Sequence, residues 1–367
     1  MKEKTMRVVM AMSGGVDSSV AAALLLEEGY EVIGATMQIW PSDLPGAVEV
    51  EGGCCSLGAV EDARAVANKL GIPYYVLNFQ SSFQETVIDY FVAEYIQGRT
   101  PNPCIVCNHD LKFQKLLEKA IALDADYMAT GHYVRRERDS DSGRWILKKG
   151  LDTTKDQSYV LYGLTQGQIA KSLFPLGNYT KSFIREKAAA LGLTVADKPD
   201  SQEICFVPDQ DYAGFINSYR PGSTRPGLIR HTDGRVLGEH NGIIHYTIGQ
   251  RKGLGIAAAT PLYVTAIDPV NDEVIVGDNE NVFAKCLTAS NLNWIAISGL
   301  DQPMELEAKI RYSAKPVPAL LRPRSAGQVE VMFQSPQRAI TPGQAVVFYR
   351  GDLMLGGGTI TGAYSGE

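Results

Sequence analysis

The sequence predicts an α/β protein in which a parallel sheet with helices on its faces is followed by smaller β-rich domains. Three observations carry this. From Met6 to about Leu193 short apolar runs alternate with helical stretches; the first run ends on a Gly-Gly turn that opens a helix; after about residue 208 the texture turns to apolar/polar alternation. Strand, helix and strand at such spacing imply right-handed crossovers and parallel pairing.

In order, MRVVMAM reads as a strand, SSVAAALLLEEGY as a helix, EVIGATMQI as a strand, LGAVEDARAVANKLG as a helix and YYVLNF as a strand. SFQETVIDYFVAEYIQG and LKFQKLLEKAIAL follow as helices, and YMATGHY as a further strand. In MELEAKIRYS, Met304, Leu306, Ala308, Ile310 and Tyr312 share one strand face, with Glu305, Glu307, Lys309 and Arg311 on the other. YVTAIDPVNDEVIVG reads as two strands joined by a turn, and QVEVMFQSP and QAVVFYRGDLMLGGG continue the pattern, which suits small barrels. PGSTRPG (221–227) and GQRKGLGI punctuate the middle, so boundaries are expected near 210 and 275, giving domains 1–210, 211–275 and 276–367.

Composition bounds the function. With 367 residues, 35 Lys+Arg against 41 Asp+Glu (net −6), 45% hydrophobic and 21% charged residues, the chain is an ordinary globular one, neither disordered nor a disulfide-dense miniprotein. Its longest apolar run, Val20 to Leu26, is far short of the roughly 18 residues a spanning helix needs, so no membrane association is expected. No secretory pattern follows the amino terminus, and the cytoplasm is the expected compartment. Six cysteines (54, 55, 104, 107, 205, 286) are too few for a disulfide framework and point to metal or redox chemistry.

Ser13-Gly14-Gly15-Val16-Asp17-Ser18-Ser19 follows the first strand directly. Glycines at a strand end let backbone approach a ligand, a helix start offers N–H groups to an anion, and the carboxyl end of a first parallel strand is where ligands bind. A tight turn with Ser/Asp capping would explain a bare Gly-Gly equally well, but the position favours a nucleotide phosphate, with Asp17 able to hold a divalent ion. Neither a Walker loop nor a dinucleotide fingerprint is present. SGGVDS resembles the loop of the ATP pyrophosphatase superfamily, whose members release pyrophosphate and leave an adenylated substrate.

Cys104 and Cys107 sit in TPNPCIVCN (100–108), and Cys205 in SQEICF (201–206). A Cys-x-x-Cys ahead of a helix lies where the positive helix end favours thiolate, the reactive form. A buried, inert thiol is the better reading for Cys286. Cys54 and Cys55 read as loop residues near the active-site face.

SGGVDS, TPNPCIVCN and DSQEICF, with ATGHY (129–133), KDQSY (155–159), YTIGQRKGLG (246–255) and IRYS (310–313), together resemble the bacterial and organellar tRNA-specific 2-thiouridylases over nearly the whole chain. The resemblance implies an adenine nucleotide α-hydrolase-like, ATP pyrophosphatase-type N-terminal domain, a small central β-rich domain and a C-terminal RNA-binding β-barrel. It implies that the 2-oxygen of the wobble uridine (U34) of tRNA(Lys/Glu/Gln) is adenylated with ATP and Mg2+ and then replaced by sulfur from a protein persulfide. Carried over by position, Cys107 is the nucleophile and Cys205 the persulfide carrier, supplied by a sulfur-relay protein or cysteine desulfurase; a Cys107–Cys205 disulfide would then await a thiol reductant. Ala11, Met12, Ser13, Gly14, Gly15, Val16, Asp17 and Ser18 would contact ATP, with Met37 and Gly131 lining the adenosine pocket. Asn102, Pro103 and Cys104 would flank the target base, His132 would approach the tRNA, and Lys155, Asp156, Gln157, Arg311, Tyr312 and Gln344 would touch it elsewhere.

One departure is chemical. Many members carry Asp, a candidate acid/base or ligand, where this chain has Cys104, whose thiol ordinarily titrates near about 8.5. Cys104, Cys107 and Cys205 could instead hold a [4Fe-4S] cluster, and a zinc site including His109 is a further arrangement. An acidic protein does not bind RNA indiscriminately, but residues 309–324 carry five basic residues and no acid. Two other function classes share parts of this pattern: an amidating or argininosuccinate-type ligase, which needs no Cys107/Cys205 pair, and a non-catalytic iron–sulfur RNA sensor.

Overall fold

The computed structural model describes residues 5–40, 57–199, 204–207 and 209–365. The chain divides into two compact units: Met1–Val87, Cys104–Pro208 and Asp352–Met354 form one, and Ile88–Pro103, Asp209–Gly351 and Leu355–Glu367 the other.

The first unit alternates β1 (Arg7–Ala11), α1 (Val16–Glu27), β2 (Glu31–Gln38), α2 (Leu57–Leu70) and β3 (Tyr74–Asn78). β4 (Tyr127–Ala129) follows two helical segments, an antiparallel hairpin β5 (Val134–Arg138) and β6 (Trp145–Lys149) comes next, and β7 (Ser172–Leu173) completes the set. The five parallel strands lie in the order β3-β2-β1-β4-β7, as the alternation predicts. Strand order reverses at β1, so the loop leaving β1 lies at a topological switch point, where open sheets bind ligands.

α1 is buried on nearly every face, from Ser18 through Leu25. Its small residues let it lie close to neighbours, packing Val20 and Leu25 against Val8, Met10 and Val32 of the sheet core. Each such aliphatic side chain contributes roughly 1.5–3 kcal/mol of burial. Two local differences from the sequence reading bear on the site. The predicted helix at 111–123 begins earlier, at Pro103, and runs as a π-helix over Cys107–Leu116, a rare geometry frequently met at functional sites. The predicted strand YMATGHY stops at Ala129.

The second unit is β-rich. β8 (Gly227–His231), β9 (Val236–His240), β10 (Tyr263–Asp268) and β11 (Glu273–Gly277) form a sheet in the order β10-β11-β8-β9 around Ile229, Val264, Val274 and Val276. β12 (Phe283–Trp294), β13 (Met304–Lys309), β14 (Val317–Pro323), β15 (Val329–Arg338), β16 (Ala345–Arg350) and β17 (Leu353–Tyr364) follow in the order β12-β15-β14-β13-β16-β17, closed by β12–β17 pairing. This is the expected small β domain and C-terminal barrel.

The predicted strand at 304–313 is shorter than its alternation implies. β13 ends at Lys309, where its pairing with β16 stops, and residues 311–314 form a turn. Lys309 is therefore buried, not outward, while Tyr312 is 45% exposed. Among the described residues no helix is long and apolar enough to cross a membrane.

Candidate active site

The glycine loop is held by its own hydroxyls. Ser13 N–H donates to Ser18 Oγ at 3.2 Å, and the Ser18 and Ser19 hydroxyls donate to the Gly15 carbonyl at 3.2 and 2.8 Å. Gly14 has φ +66°, and a Cβ there would overlap the Ala59 carbonyl and lie 2.8 Å from Ala59 Cα, so no larger residue fits. Gly15 occupies the N-cap of α1 without a side-chain cap, which leaves the positive helix end to a ligand. Gly131 closes the other side: its Cβ would stand 2.9 Å from Ser18 N. Met37, near the end of β2, is buried, as are Met12 and Val16.

Asp17 is not an isolated candidate metal ligand. Lys181 Nζ donates to both its oxygens at 2.8 Å and Tyr133 Oη donates to Oδ1 at 2.7 Å. A second ammonium, Lys198 Nζ, donates to the Gly14 carbonyl at 3.1 Å and to Asp62 at 2.7 Å. Two lysines beside one loop suit a polyphosphate, whose charge each ammonium can neutralise. Sequence reasoning missed both, because Lys181 stands 164 residues from Asp17. The only local hint was a lysine following Thr180, the N-cap of helix Lys181–Ala190.

His132 is buried beside this loop's Gly131 neighbour, with Nδ1 2.8 Å from Thr130 Oγ1. Burial, reinforced by the charge of Lys112, pushes its pKa well below the ordinary value, so the ring is neutral.

The cysteines occupy a different environment. Cys104 is exposed in helix Pro103–Val106, Cys107 is half-buried at the start of the π-helix, and Cys205 is half-buried. Cys286 is buried in the barrel and burial raises its pKa, in keeping with an inert core thiol. Asn102 is half-buried and Pro103 buried. Among the described residues no three His, Cys, Asp or Glu side chains form a group able to hold a metal ion, so neither the three-thiolate cluster nor the zinc arrangement is assembled there. Cys54 and Cys55 lie outside the described residues.

Several residues expected on the RNA are engaged within the protein. Asp156 accepts from Gly150 N, Ser158 N and Ser158 Oγ, and Gln157 Oε1 accepts from Tyr133 N. Lys155 is half-buried. Gln344 Nε2 donates to the Thr100 and Pro101 carbonyls. Arg311 reaches the carbonyls of Arg338 and Ala339. The basic strip also needs correction, because β14–β15 pairing sets Glu330 opposite Arg322 and within an ion pair of Arg324. Lys309 is buried, with its ammonium 5.4 Å from the Tyr312 ring centroid.

Residues 6–209 match the family described as tRNA methyl transferase HUP domain, residues 213–278 the tRNA methyl transferase PRC-barrel domain, and residues 284–360 the aminomethyltransferase beta-barrel domain. The chain is 59% identical to the tRNA-specific 2-thiouridylase MnmA 1 of Thermoanaerobacter pseudethanolicus, over 98% of each protein. It is 57% identical to the tRNA-specific 2-thiouridylase MnmA of Acetivibrio thermocellus, over 96% of this chain and 99% of that protein. The corresponding protein of Clostridioides difficile is 52% identical over 96% of this chain and 98% of its own length.

Proposed function

The chain belongs to the tRNA-specific 2-thiouridylase family, and from that premise we propose that it uses ATP to exchange the 2-oxygen of the tRNA wobble uridine (U34) for sulfur through a persulfide on Cys205. One observation supports this reading above others: a single compact unit contains both the glycine loop and Cys104, Cys107 and Cys205. Sulfur transfer, rather than the methyl transfer named in two of the matched families, accounts for a phosphate loop and thiols in one unit.

The chemistry runs in three displacements. The uridine 2-oxygen attacks the α-phosphorus of ATP, and pyrophosphate leaves toward the α1 N-terminus, Lys181 and Lys198. Adenylation turns a poor leaving oxygen into AMP. The outer sulfur of the Cys205 persulfide attacks C2 and AMP departs with the oxygen. The Cys107 thiolate then attacks Cys205 Sγ, the carried sulfur stays on C2 as the thiocarbonyl, and a Cys107–Cys205 disulfide forms. An external thiol reductant supplies the two electrons that restore both thiols. Cys104, exposed in the same helix, is the candidate proton donor or acceptor at the base.

Mg2+ bound with the nucleotide would supply positive charge against the departing pyrophosphate, with Asp17 as the nearby carboxylate. The Asp17 carboxylate, engaged on both oxygens by Lys181, fits the role of holding that ammonium better than that of a direct metal ligand. The iron–sulfur route would need Cys104, Cys107 and Cys205 as one ligand set, which their placement does not provide among the described residues. Cys205 is accessible enough to receive sulfur from a relay protein or desulfurase. A tRNA anticodon arm is the proposed nucleic-acid partner, its binding weakening with salt as phosphate contacts are screened.

Pyrophosphate release is the test. It should require a tRNA with uridine at the wobble position and no amino donor, and adding a persulfide donor should yield 2-thiouridine by mass spectrometry. Release that depends on an amino donor would identify a ligase, and the absence of release a nucleotide sensor.

A further inference from the structure

Cys107 and the glycine loop belong to one compact unit, and a single segment of that unit is bonded toward both. At the thiol end, Asn108, the residue after Cys107, is 3% exposed. Its Nδ2 donates to the Val160 carbonyl at 3.3 Å, while its Oδ1 has no hydrogen-bond partner among the described residues. A buried carbonyl without a donor costs about 1–3 kcal/mol, which a leucine of similar size would avoid. What the amide contributes at this position is therefore the Nδ2 donor. One residue on, the His109 ring lies against Gly163, where a Cβ would stand 3.4 Å from His109 Cδ2. Val160 belongs to the 3-10 helix Ser158–Leu161, in which Ser158, Tyr159 and Leu161 are buried. Asp156 fixes the start of that helix, accepting from Ser158 N and Oγ at 3.1 and 2.9 Å. Val160 N–H donates back to the Gln157 carbonyl at 3.3 Å, so one helical turn joins the two ends of the segment. At the loop end, Gln157 and Tyr133 bond reciprocally: Gln157 N–H donates to the Tyr133 carbonyl at 3.1 Å, and Gln157 Oε1 accepts from Tyr133 N–H at 3.0 Å. Tyr133 is buried and its Oη donates to Asp17 Oδ1 at 2.7 Å.

We propose that residues 157–160 form a strut and that Asn108 is a positioning residue at its end, so that a nucleotide on the glycine loop restrains the helix start that carries Cys107. A ligand that binds only the native arrangement of the loop stabilises what is bonded to it and raises the cost of local opening. Cys107 is half-buried and needs such opening to meet a reagent in full, whereas Cys104 is exposed and does not. The inference rests on the sulfur-transfer reading above, to which it adds that occupancy of the adenylation site is felt at the thiol.

The test uses the full chain without RNA, a non-hydrolysable ATP analogue and iodoacetamide, with alkylation at each cysteine located by tandem mass spectrometry. In wild type, saturating analogue should slow alkylation of Cys107 by about threefold or more and leave Cys104 within about 1.5-fold. Asn108→Leu removes the Nδ2 donor and the unpartnered carbonyl together. Tyr133→Phe keeps the buried ring, removes the bond to Asp17, and serves if Asn108→Leu does not fold. In each variant the analogue should change the Cys107 rate by less than about 1.5-fold, at concentrations shown by equilibrium dialysis to saturate it. A wild-type Cys107 rate that ignores the analogue overturns the proposal. So does undiminished slowing in the folded variants, which would mean that the nucleotide shields the thiol directly. Enzyme that shows the expected alkylation pattern yet forms no 2-thiouridine from U34 tRNA and a persulfide donor would overturn the sulfur-transfer reading alone.

Discussion

The glycine loop and the cysteine segment are built on opposite terms. Around Ser13–Ser18, side-chain-to-backbone bonds, the Gly14–Ala59 contact and the Asp17–Lys181 pair leave little room for rearrangement. In the cysteine segment Cys104 is exposed and Cys107 is half-buried. The difference follows from what each end handles. In the proposed reaction, departing pyrophosphate would be stabilised by donors placed in advance, whereas a sulfur atom would be delivered from outside and passed between thiols.

The largest effects should break the sulfur end while leaving the phosphate end intact. Cys107→Ser and Cys205→Ser are each expected to lower thiolation by about 10³-fold or more while ATP binding persists, because a hydroxyl is a far weaker nucleophile than a thiolate. Retained 2-thiouridine in Cys205→Ser, measured by mass spectrometry of digested tRNA, would remove that residue as the carrier.

The converse experiment targets the loop. Lys181→Met or Asp17→Ala should lower tRNA-dependent pyrophosphate release by roughly 10²-fold, the scale of losing a preorganised charge contact. Asp17→Ala strands a Lys181 ammonium that is 10% exposed, but Asp17 itself is 32% exposed, so the stability loss is expected to be only about 1–3 kcal/mol. If Lys181→Met left pyrophosphate release unchanged, the lysine would be a purely structural partner of Asp17.

Gly14→Ala sharpens the claim of rigidity. Left-handed backbone and the Ala59 carbonyl together predict a loss on the order of 2–3 kcal/mol, read as a lower denaturant midpoint. A variant as stable as wild type would show that the loop can yield.

The smallest effect concerns His132. Its native pKa is depressed, so below about pH 6.5 the unfolded chain binds a proton that the native state refuses, and stability falls with pH toward the native value. His132→Asn should shrink the stability difference between pH 7 and pH 5.5 by about 1 kcal/mol, measured by urea titration at both values.

Much of the site was legible in local pattern. The Gly-Gly turn after β1 and the cysteines in doubly prolyl TPNPCIVCN could be found because turn chemistry and thiol placement are written in consecutive residues. The residues expected on RNA show their protein partners only in three dimensions. Arg311, Asp156, Gln157 and Gln344 look like surface polar residues in sequence, yet each is engaged by backbone or neighbouring side chains. Alternation across 304–313 likewise gave no sign that pairing stops at Lys309.

By itself the amino-acid sequence determined the strand–helix order, the Gly-Gly turn that opens α1 and the local setting of the cysteines, since periodicity and backbone permissiveness act over a few residues. Only the tertiary structure decided which charges meet. Lys181 and Lys198 come to the loop, and Glu330 comes among Arg322 and Arg324, across distances in sequence that no local pattern spans. Coulombic partners are chosen by where the packed sheet and barrel bring them, and packing is a property of the whole chain.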